Sequence, residues 1–424
     1  MADAGLTTAP TRAADTDGEQ PRPGLRGSWS ALSWWGRALA VFAASRLVTT
    51  LLYLWVGTQG TTASRAGPHP DLVTLATAWD GQWYWYVAVH GYPAVLPLTA
   101  SGAVDTNQWA FLPLYPYLVK ALSLGVTAAW PPVAVLVSLA AGFVAAVLLS
   151  LLLRPRIGAG RADFAVALFA FSPLAFVLQA AYAESLGLAL LLGALCLVDR
   201  HRYAAAIPVT VALAFTRPDA LPLALAIGLH LLVRIRGARA GRDPLPRSEL
   251  VAGVVLTAVT LVAGLAWTWI AAAATGVPDA YLRTEAAWRA LWMGDSAFAL
   301  FTPWWFAAHF WTERAVGSAG ADIVAVLLLV VVVGGFVALL LSPAARLLGA
   351  LNRLWAASYA LYLLAVFFPQ SSLFRLLMPM APLTGALVPR RTAARAALLV
   401  ACTAMQALWL WCTYGPFQVY WSVP

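Results

Sequence analysis

Apolar runs recur along this chain from Trp34 to Tyr414, separated by short polar and basic interruptions. A run of about 20 apolar residues is what a helix needs to cross a bilayer. The pattern predicts about eleven crossings, over residues 34–57, 131–153, 163–181, 184–198, 203–216, 219–233, 249–275, 321–341, 347–367, 373–388 and 396–414. Several of these are short for a straight crossing, notably 184–198 and the pair around Arg217-Pro218-Asp219. They read as broken, tilted or re-entrant elements lining a cavity. Two aromatic, weakly charged segments interrupt the runs, residues 58–130 and 276–320. The second carries Trp288, Trp292, Trp304, Trp305 and Trp311, which suits the boundary between lipid and water.

Composition strengthens the membrane reading. Of 424 residues, 61% are hydrophobic and only 11% charged, and the mean hydropathy is +0.76, which excludes a water-soluble domain. The expected fold class is therefore all-α, a polytopic transmembrane helical bundle whose long first loop carries interfacial helices. Residues 1–28 have no apolar run and are rich in Ala, Thr, Asp, Gly, Pro and Arg, as a disordered cytoplasmic tail would be. Residues 29–424 form the membrane domain.

The net charge of +9 does not point to nucleic acid, because the basic residues cluster between apolar runs. Arg154, Arg156 and Arg161 form one cluster, Arg200 and Arg202 a second, Arg234, Arg236, Arg239, Arg242 and Arg247 a third, and Arg390, Arg391 and Arg395 a fourth. The positive-inside rule assigns all four to the cytoplasmic face, with membrane lipids as their partner. The loops 58–130 and 276–320 then fall outside, and the protein is expected in the cell membrane with its N-terminus in the cytoplasm.

Chemistry concentrates in the first outer loop, at Trp79-Asp80-Gly81-Gln82-Trp83-Tyr84-Trp85-Tyr86-Val87-Ala88-Val89-His90-Gly91-Tyr92-Pro93. A carboxylate held among rings at a bilayer edge sits where dielectric contrast tunes acids and bases. On a helix, Trp79, Trp83, Tyr86 and His90 share one face, and Asp80, Tyr84 and Val87 the neighbouring one. Asp80 fits two roles from spacing alone, a chemical group or an N-cap. His90 beside Gly91 and Tyr92 fits a hydrogen-bonded turn as well as chemistry. Further on, Asn107-Gln108-Trp109-Ala110-Phe111-Leu112-Pro113-Leu114-Tyr115-Pro116 cannot be one regular helix, because its prolines break the ladder.

Trp79-Asp80 with Tyr84 and Gly91-Tyr92, then Phe111-Leu112-Pro113-Leu114-Tyr115-Pro116, then Ala183-Glu184-Ser185, then Ala214-Phe215-Thr216-Arg217-Pro218-Asp219-Ala220, form four ordered blocks over residues 79–220. Together they resemble the GPI mannosyltransferase II (PIG-V-like) family, within the GT-C class of membrane glycosyltransferases. Asp219-Ala220 departs from that family's Arg-Pro-Asn-Gly-like pattern. In the second half only Phe374-Arg375-Leu376-Leu377-Met378-Pro379 is similar to an arginine-bearing element near the end of many such transferases.

The resemblance implies an inverting transfer of mannose from a polyprenyl-phosphate-mannose donor to a lipid, glycan or protein acceptor on the extracytoplasmic face. It implies Asp80 as the catalytic base, Arg375 and Arg217 as ligands of the donor phosphate, and Tyr84, His90, Tyr115 and Glu184 as substrate-binding residues, with no cofactor. Each has a competing structural explanation. Arg375 suits a snorkelling arginine, Arg217 a local pair with Asp219, and Glu184 the positive end of a helix dipole. The remaining outer acids, Asp71, Asp105, Asp279, Glu285, Asp295 and Glu313, read as solvated surface groups.

No metal site follows from the scattered histidines or from Cys196, Cys402 and Cys412 in apolar runs. The absence of a Walker motif argues against an ATP-driven transporter. A flippase for a polyprenyl-linked glycolipid remains the alternative of a different class, and a different donor sugar the alternative within the same fold. A single lysine, Lys120, amid many Ala, Arg and Trp suggests a GC-rich bacterial genome.

Overall fold

Every regular element that the apolar runs produce is a helix. The computed structural model describes residues 29, 31–293 and 299–416. The tail expected over residues 1–28 lies outside them, as does Asp295. Among the described residues the only β pairing is an isolated bridge between Leu98 and Val104. From Trp34 onward the described chain forms one compact unit.

The helices run, in order, α1 (Trp34–Gly57), α2 (Leu72–Thr77), α3 (Asp80–His90), α4 (Leu114–Leu122), α5 (Trp130–Ile157), α6 (Ala159–Ala170), α7 (Glu184–Asp199), α8 (Tyr203–Ala214) and α9 (Ala220–Arg239). There follow α10 (Arg247–Thr275), α11 (Ala280–Met293), α12 (Pro303–Val316), α13 (Ala321–Leu341), α14 (Pro343–Arg346), α15 (Gly349–Val366), α16 (Leu373–Leu376) and α17 (Thr392–Tyr414). Among the described residues, six apolar stretches, built on α1, α5, α9, α10, α13 and α17, are long and apolar enough to cross a membrane. The protein is an all-α polytopic membrane bundle.

Two expected crossings are not continuous helices. The run 163–181 ends as α6 at Ala170 and continues as a turn and a 3-10 segment over Ala175–Gln179. Pro173 explains the break, since proline removes a ladder donor and crowds the preceding turn. The run 373–388 is α16 followed by a 3-10 segment, Met378–Ala386, interrupted by Pro379 and Pro382. Arg375 therefore sits in a folded-in connection rather than in a regular span. The exposed carbonyls behind the first break are satisfied by Arg46 of α1, which donates from Nη1 to Ala175 O at 2.6 Å and from Nη2 to Ala170 O at 2.8 Å.

The core gathers α1, α5, α6 and α7 around the buried residues Phe42, Leu149, Phe176 and Leu191. Helices α1 and α5 approach closely because Gly142 lies under the Phe42 ring, where a Cβ would stand only 2.4 Å from Phe42 Cζ. Two of the arginine clusters find acids between helices. Asp163 lies 3.6 Å from Arg37 and 3.7 Å from Arg154, Arg156 bonds Asp199, and Arg234 reaches Glu249 at 2.6 Å.

Candidate functional site

Asp80 is aimed by a strained turn. Trp79 has φ 59° and ψ −120°, the second position of a type II′ turn, which glycine normally occupies. The turn closes with Gly81 N donating to Ala78 O at 3.3 Å. Such a conformation in a bulky residue costs on the order of 1–3 kcal/mol and persists only where its surroundings impose it. Here Arg65 lies over the Trp79 indole, 4.4 Å from the ring centroid. Asp80 thus becomes the first residue of α3, not its N-cap, so the capping alternative is corrected. Capping in this loop falls instead to Asp71, whose Oδ1 accepts from Thr74 N at 2.7 Å. The backbone and side-chain hydrogen bonds of Thr74 hold the Asp71 carboxyl below its ordinary range.

Four residues distant in sequence meet in one charged row. Arg375 Nη1 donates to Asp80 Oδ2 at 2.6 Å. Its Nε lies 3.3 Å from Glu184 Oε1, close enough for an ion pair but without hydrogen-bond alignment. Glu184 Oε1 accepts from Arg217 Nη1 at 2.7 Å. The order is Asp80, Arg375, Glu184, Arg217, with two positive and two negative charges. Glu184 is 4% exposed and Arg375 9%, whereas the Asp80 side chain retains 22% exposure. The row is therefore open at its aspartate end. The expected local pair of Arg217 with Asp219 gives way to the pair with Glu184.

Glu184 does begin a helix, α7, where the dipole favours a carboxylate. One turn later Gly187 makes room for Arg217: a Cβ there would stand 2.5 Å from Arg217 Cγ. Tyr182 supports Arg375 from beneath, with the guanidinium carbon 5.5 Å from its ring centroid, and is itself anchored by donating to Ala78 O at 3.1 Å. Beside the row, Glu184 Oε2 and Asp219 Oδ1 are buried without a hydrogen-bond partner in the protein. Buried acceptors of this kind can take a donor from water or from a hydroxyl-bearing ligand.

The remaining sequence candidates divide. Tyr84 is buried on α3, edge-on to Phe111 at 5.3 Å and to Tyr115 at 5.2 Å. Burial first, then the negative charge of Glu184, pushes its hydroxyl pKa up, while Arg217 opposes the rise. Tyr84 belongs with the row. Tyr115 is fully buried, its hydroxyl donating to Ala134 O and paired with Ser138 Oγ, both at 2.9 Å. Ser138 in turn donates to Tyr182 O at 3.1 Å, so Tyr115 reaches the row only through the element that carries Tyr182. His90 is at the far end of α3, exposed, 4.4 Å from Tyr86 between ring centroids. The structure does not bring it to the row.

Two residues, Tyr182 and Glu285, had no distinguishing mark in the sequence, and Asp219 was marked only as a departure from the family pattern and as a local partner for Arg217. Tyr182 lies one position before the Ala183-Glu184-Ser185 block, a signal that was available. Glu285 had none, because its surroundings are assembled from elsewhere in the chain. Glu313 lies at the surface, and Asp279, its side chain 47% exposed, pairs with Arg283 at 2.8 Å. Among the described residues, no three His, Cys, Asp or Glu are arranged to hold a metal ion. The site's chemical means are guanidinium forks suited to phosphate oxygens, carboxylates able to take protons, and aromatic walls.

No protein-family model matches this sequence, and no curated protein sequence matches it. Among solved structures, the chain is similar to the oligosaccharyltransferase of Archaeoglobus fulgidus in complex with Zn and sulfate, at 14% identity and a TM-score of 0.47. It is likewise similar to the archaeal oligosaccharyltransferase AglB of that organism in complex with an inhibitory peptide and a dolichol-phosphate, at 13% identity and a TM-score of 0.47. The matches cover 89% and 91% of this chain but only 54% and 57% of those, so the chain spans little more than half their length.

Proposed function

We propose that this protein is an inverting, GT-C-like membrane glycosyltransferase that moves mannose from a polyprenyl-phosphate-mannose donor to an acceptor hydroxyl on the extracytoplasmic face. The observation that carries this reading is the Asp80–Arg375–Glu184–Arg217 row, in which Asp80, Glu184 and Arg217 come from the sequence blocks that carry the family resemblance and Arg375 from the arginine-bearing element of the second half.

Asp80 is the base. Its carboxylate takes the proton of the acceptor O–H while the acceptor oxygen forms its bond to the sugar C1. The bond between C1 and the phosphate oxygen breaks as that one forms, and its electron pair leaves with the polyprenyl phosphate. Attack from the opposite side inverts the anomeric centre. Arg375 receives the leaving phosphate, whose charge is best stabilised by a preorganised guanidinium in a water-poor site. Without donor, Arg375 is shared by Asp80 and Glu184. A donor phosphate draws the guanidinium toward itself, and Asp80 gains the freedom to accept a proton. Glu184 and Arg217 hold Arg375 in place, with Tyr84 and Tyr182 as its walls.

The test uses membranes containing the wild type or the Asp80→Asn variant, radiolabelled polyprenyl-phosphate mannose, and transfer of label out of the carrier lipid. Loss of a general base costs about two to four orders of magnitude in rate. Wild-type transfer, with D80N reduced to that extent and folded, supports the reading. No release of label by the wild type sinks the mannose donor, and full activity of D80N sinks the role of Asp80.

A further inference from the structure

The acids of the second aromatic segment differ in their surroundings. Glu313 is exposed and the Asp279 side chain keeps 47% exposure beside Arg283, whereas Glu285 is half-buried on a helix face that points into the protein. Tyr281, Thr284, Glu285 and Trp288 stand at i, i+3, i+4 and i+7 of α11, the spacing of a single buried stripe. The stripe's other members are fastened. The Thr284 hydroxyl pairs with Asn107, and Trp288 packs edge-on against Trp83 of α3 at 5.1 Å between ring centroids. Leu282 and Leu291, one on either flank of the stripe, are exposed. A carboxylate on the inward stripe is thus out of pattern, where an apolar side chain would pack at lower cost.

The groups that face Glu285 tie it to the charged row. On its own helix it is within hydrogen-bonding reach of Tyr281 and within electrostatic reach of Arg289. Arg289 also donates to Val366 O at the end of α15, at 2.9 Å. Tyr281 and, on α15, Tyr362 each lie within electrostatic reach of both Glu285 and Arg217. Tyr362 stacks on Tyr359, 6.4 Å between centroids, and Tyr359 lies in the field of Asp219, Arg217 and Glu184. Glu285 therefore shares the neighbours Tyr281 and Tyr362 with Arg217, and its helix packs through Trp288 on Trp83 of the helix that carries Asp80.

We propose that Glu285 is a second substrate-facing carboxylate of this site, one that binds hydroxyl groups of the sugar or the acceptor as a hydrogen-bond acceptor. The inference rests on the transferase reading and extends it to a helix that the four sequence blocks do not reach. A carboxylate binds a hydroxyl best when ionised. Burial pushes the Glu285 carboxyl up to about 7, against the lowering effects of the Tyr281 hydrogen bond and Arg289. Binding through Glu285 therefore strengthens as pH rises through that value. Because the folded pKa lies above the unfolded one, the fold loses stability over the same rise. A glutamine there removes both effects.

The test is the pH profile of kcat/KM, from about 5.5 to 8.5, for full-length wild type and Glu285→Gln in detergent, with polyprenyl-phosphate mannose as donor. The wild type should show an acid limb centred about 7, which reports the free enzyme. E285Q should lose that limb and fall roughly ten- to hundredfold in kcat/KM above it, chiefly through KM. Its unfolding temperature above pH 7 should equal or exceed that of the wild type. An active wild type with E285Q unchanged in kcat/KM and pH profile overturns this inference alone. A wild type that transfers no label overturns the transferase reading and this inference with it. Should E285Q not fold, Glu285→Asp replaces it: a raised KM with the limb retained supports the role, and an unchanged KM overturns it.

Discussion

Replacing Gly187 by alanine should break the charged row without touching a charge. The added Cβ would stand 2.5 Å from Arg217 Cγ, about an ångström inside an ordinary carbon contact. Cγ is not the free end of a flexible side chain here, because the far end of Arg217 is tied to Glu184 at 2.7 Å. Overpacking of this kind costs about 1–3 kcal/mol. If Arg217 swings away instead, the charged hydrogen bond is lost, about 1.5–3 kcal/mol. Alanine returns about 1 kcal/mol in helix propensity. Either route alone leaves a net loss of about 0–2 kcal/mol, and both together about 1.5–5 kcal/mol. Gly193 in the same helix is the matched control, since its Cβ would meet only Leu148 and Val209 at 3.8 Å. Gly193→Ala should be neutral or stabilising by up to about 1 kcal/mol. Thermal unfolding in detergent, run beside the transfer assay, reads both variants. G187A as stable and active as G193A would refute the claim that Arg217 is wedged against α7 to hold Glu184.

Tyr115→Phe removes a hydroxyl bonded to Ala134 O and Ser138, and should cost about 1–2 kcal/mol of stability while leaving kcat/KM within about threefold; a larger loss of activity would mean that Tyr115 touches substrate. His90→Ala, at an exposed ring outside the row, should change stability by no more than about 0.5 kcal/mol and leave transfer intact. Asp71→Ala should cost about 1 kcal/mol at neutral pH through loss of the Thr74 cap. Because the Asp71 carboxyl is held below its ordinary range, that stabilisation is full above about pH 4 and fades as pH falls through the lowered value. Unfolding curves of wild type and D71A that stay apart at low pH would contradict this.

Much of the bundle was legible because a bilayer enforces it: a long apolar run has no better option than a helix, and α1, α5, α9, α10, α13 and α17 begin and end within several residues of their expected bounds. The runs around 163–181 and 373–388 misled because they are apolar without being lipid-facing. In both, prolines break the ladder and the freed carbonyls are met by tertiary partners, which hydropathy cannot register. The site was legible in its parts. Asp80, Glu184, Arg217 and Arg375 could each be singled out, but each carried a structural alternative that only its partners could decide.

Those partners are non-local, and that is why the decision lay in the fold. Arg217 is two residues from Asp219 and 33 from Glu184, yet it bonds the glutamate. Local spacing favoured the nearer acid. What overrides it is the start of α7, which places Glu184 one turn before Gly187, the position with space for the arginine's stem. Asp219 is left with a buried oxygen and no donor, as is the second oxygen of Glu184. Unmet atoms also occur at the ion pair of Asp163 with Arg154, so they do not by themselves set the row apart. What distinguishes the row is that its buried charges end in an aspartate whose side chain keeps 22% exposure, the geometry that the proposed proton transfer needs.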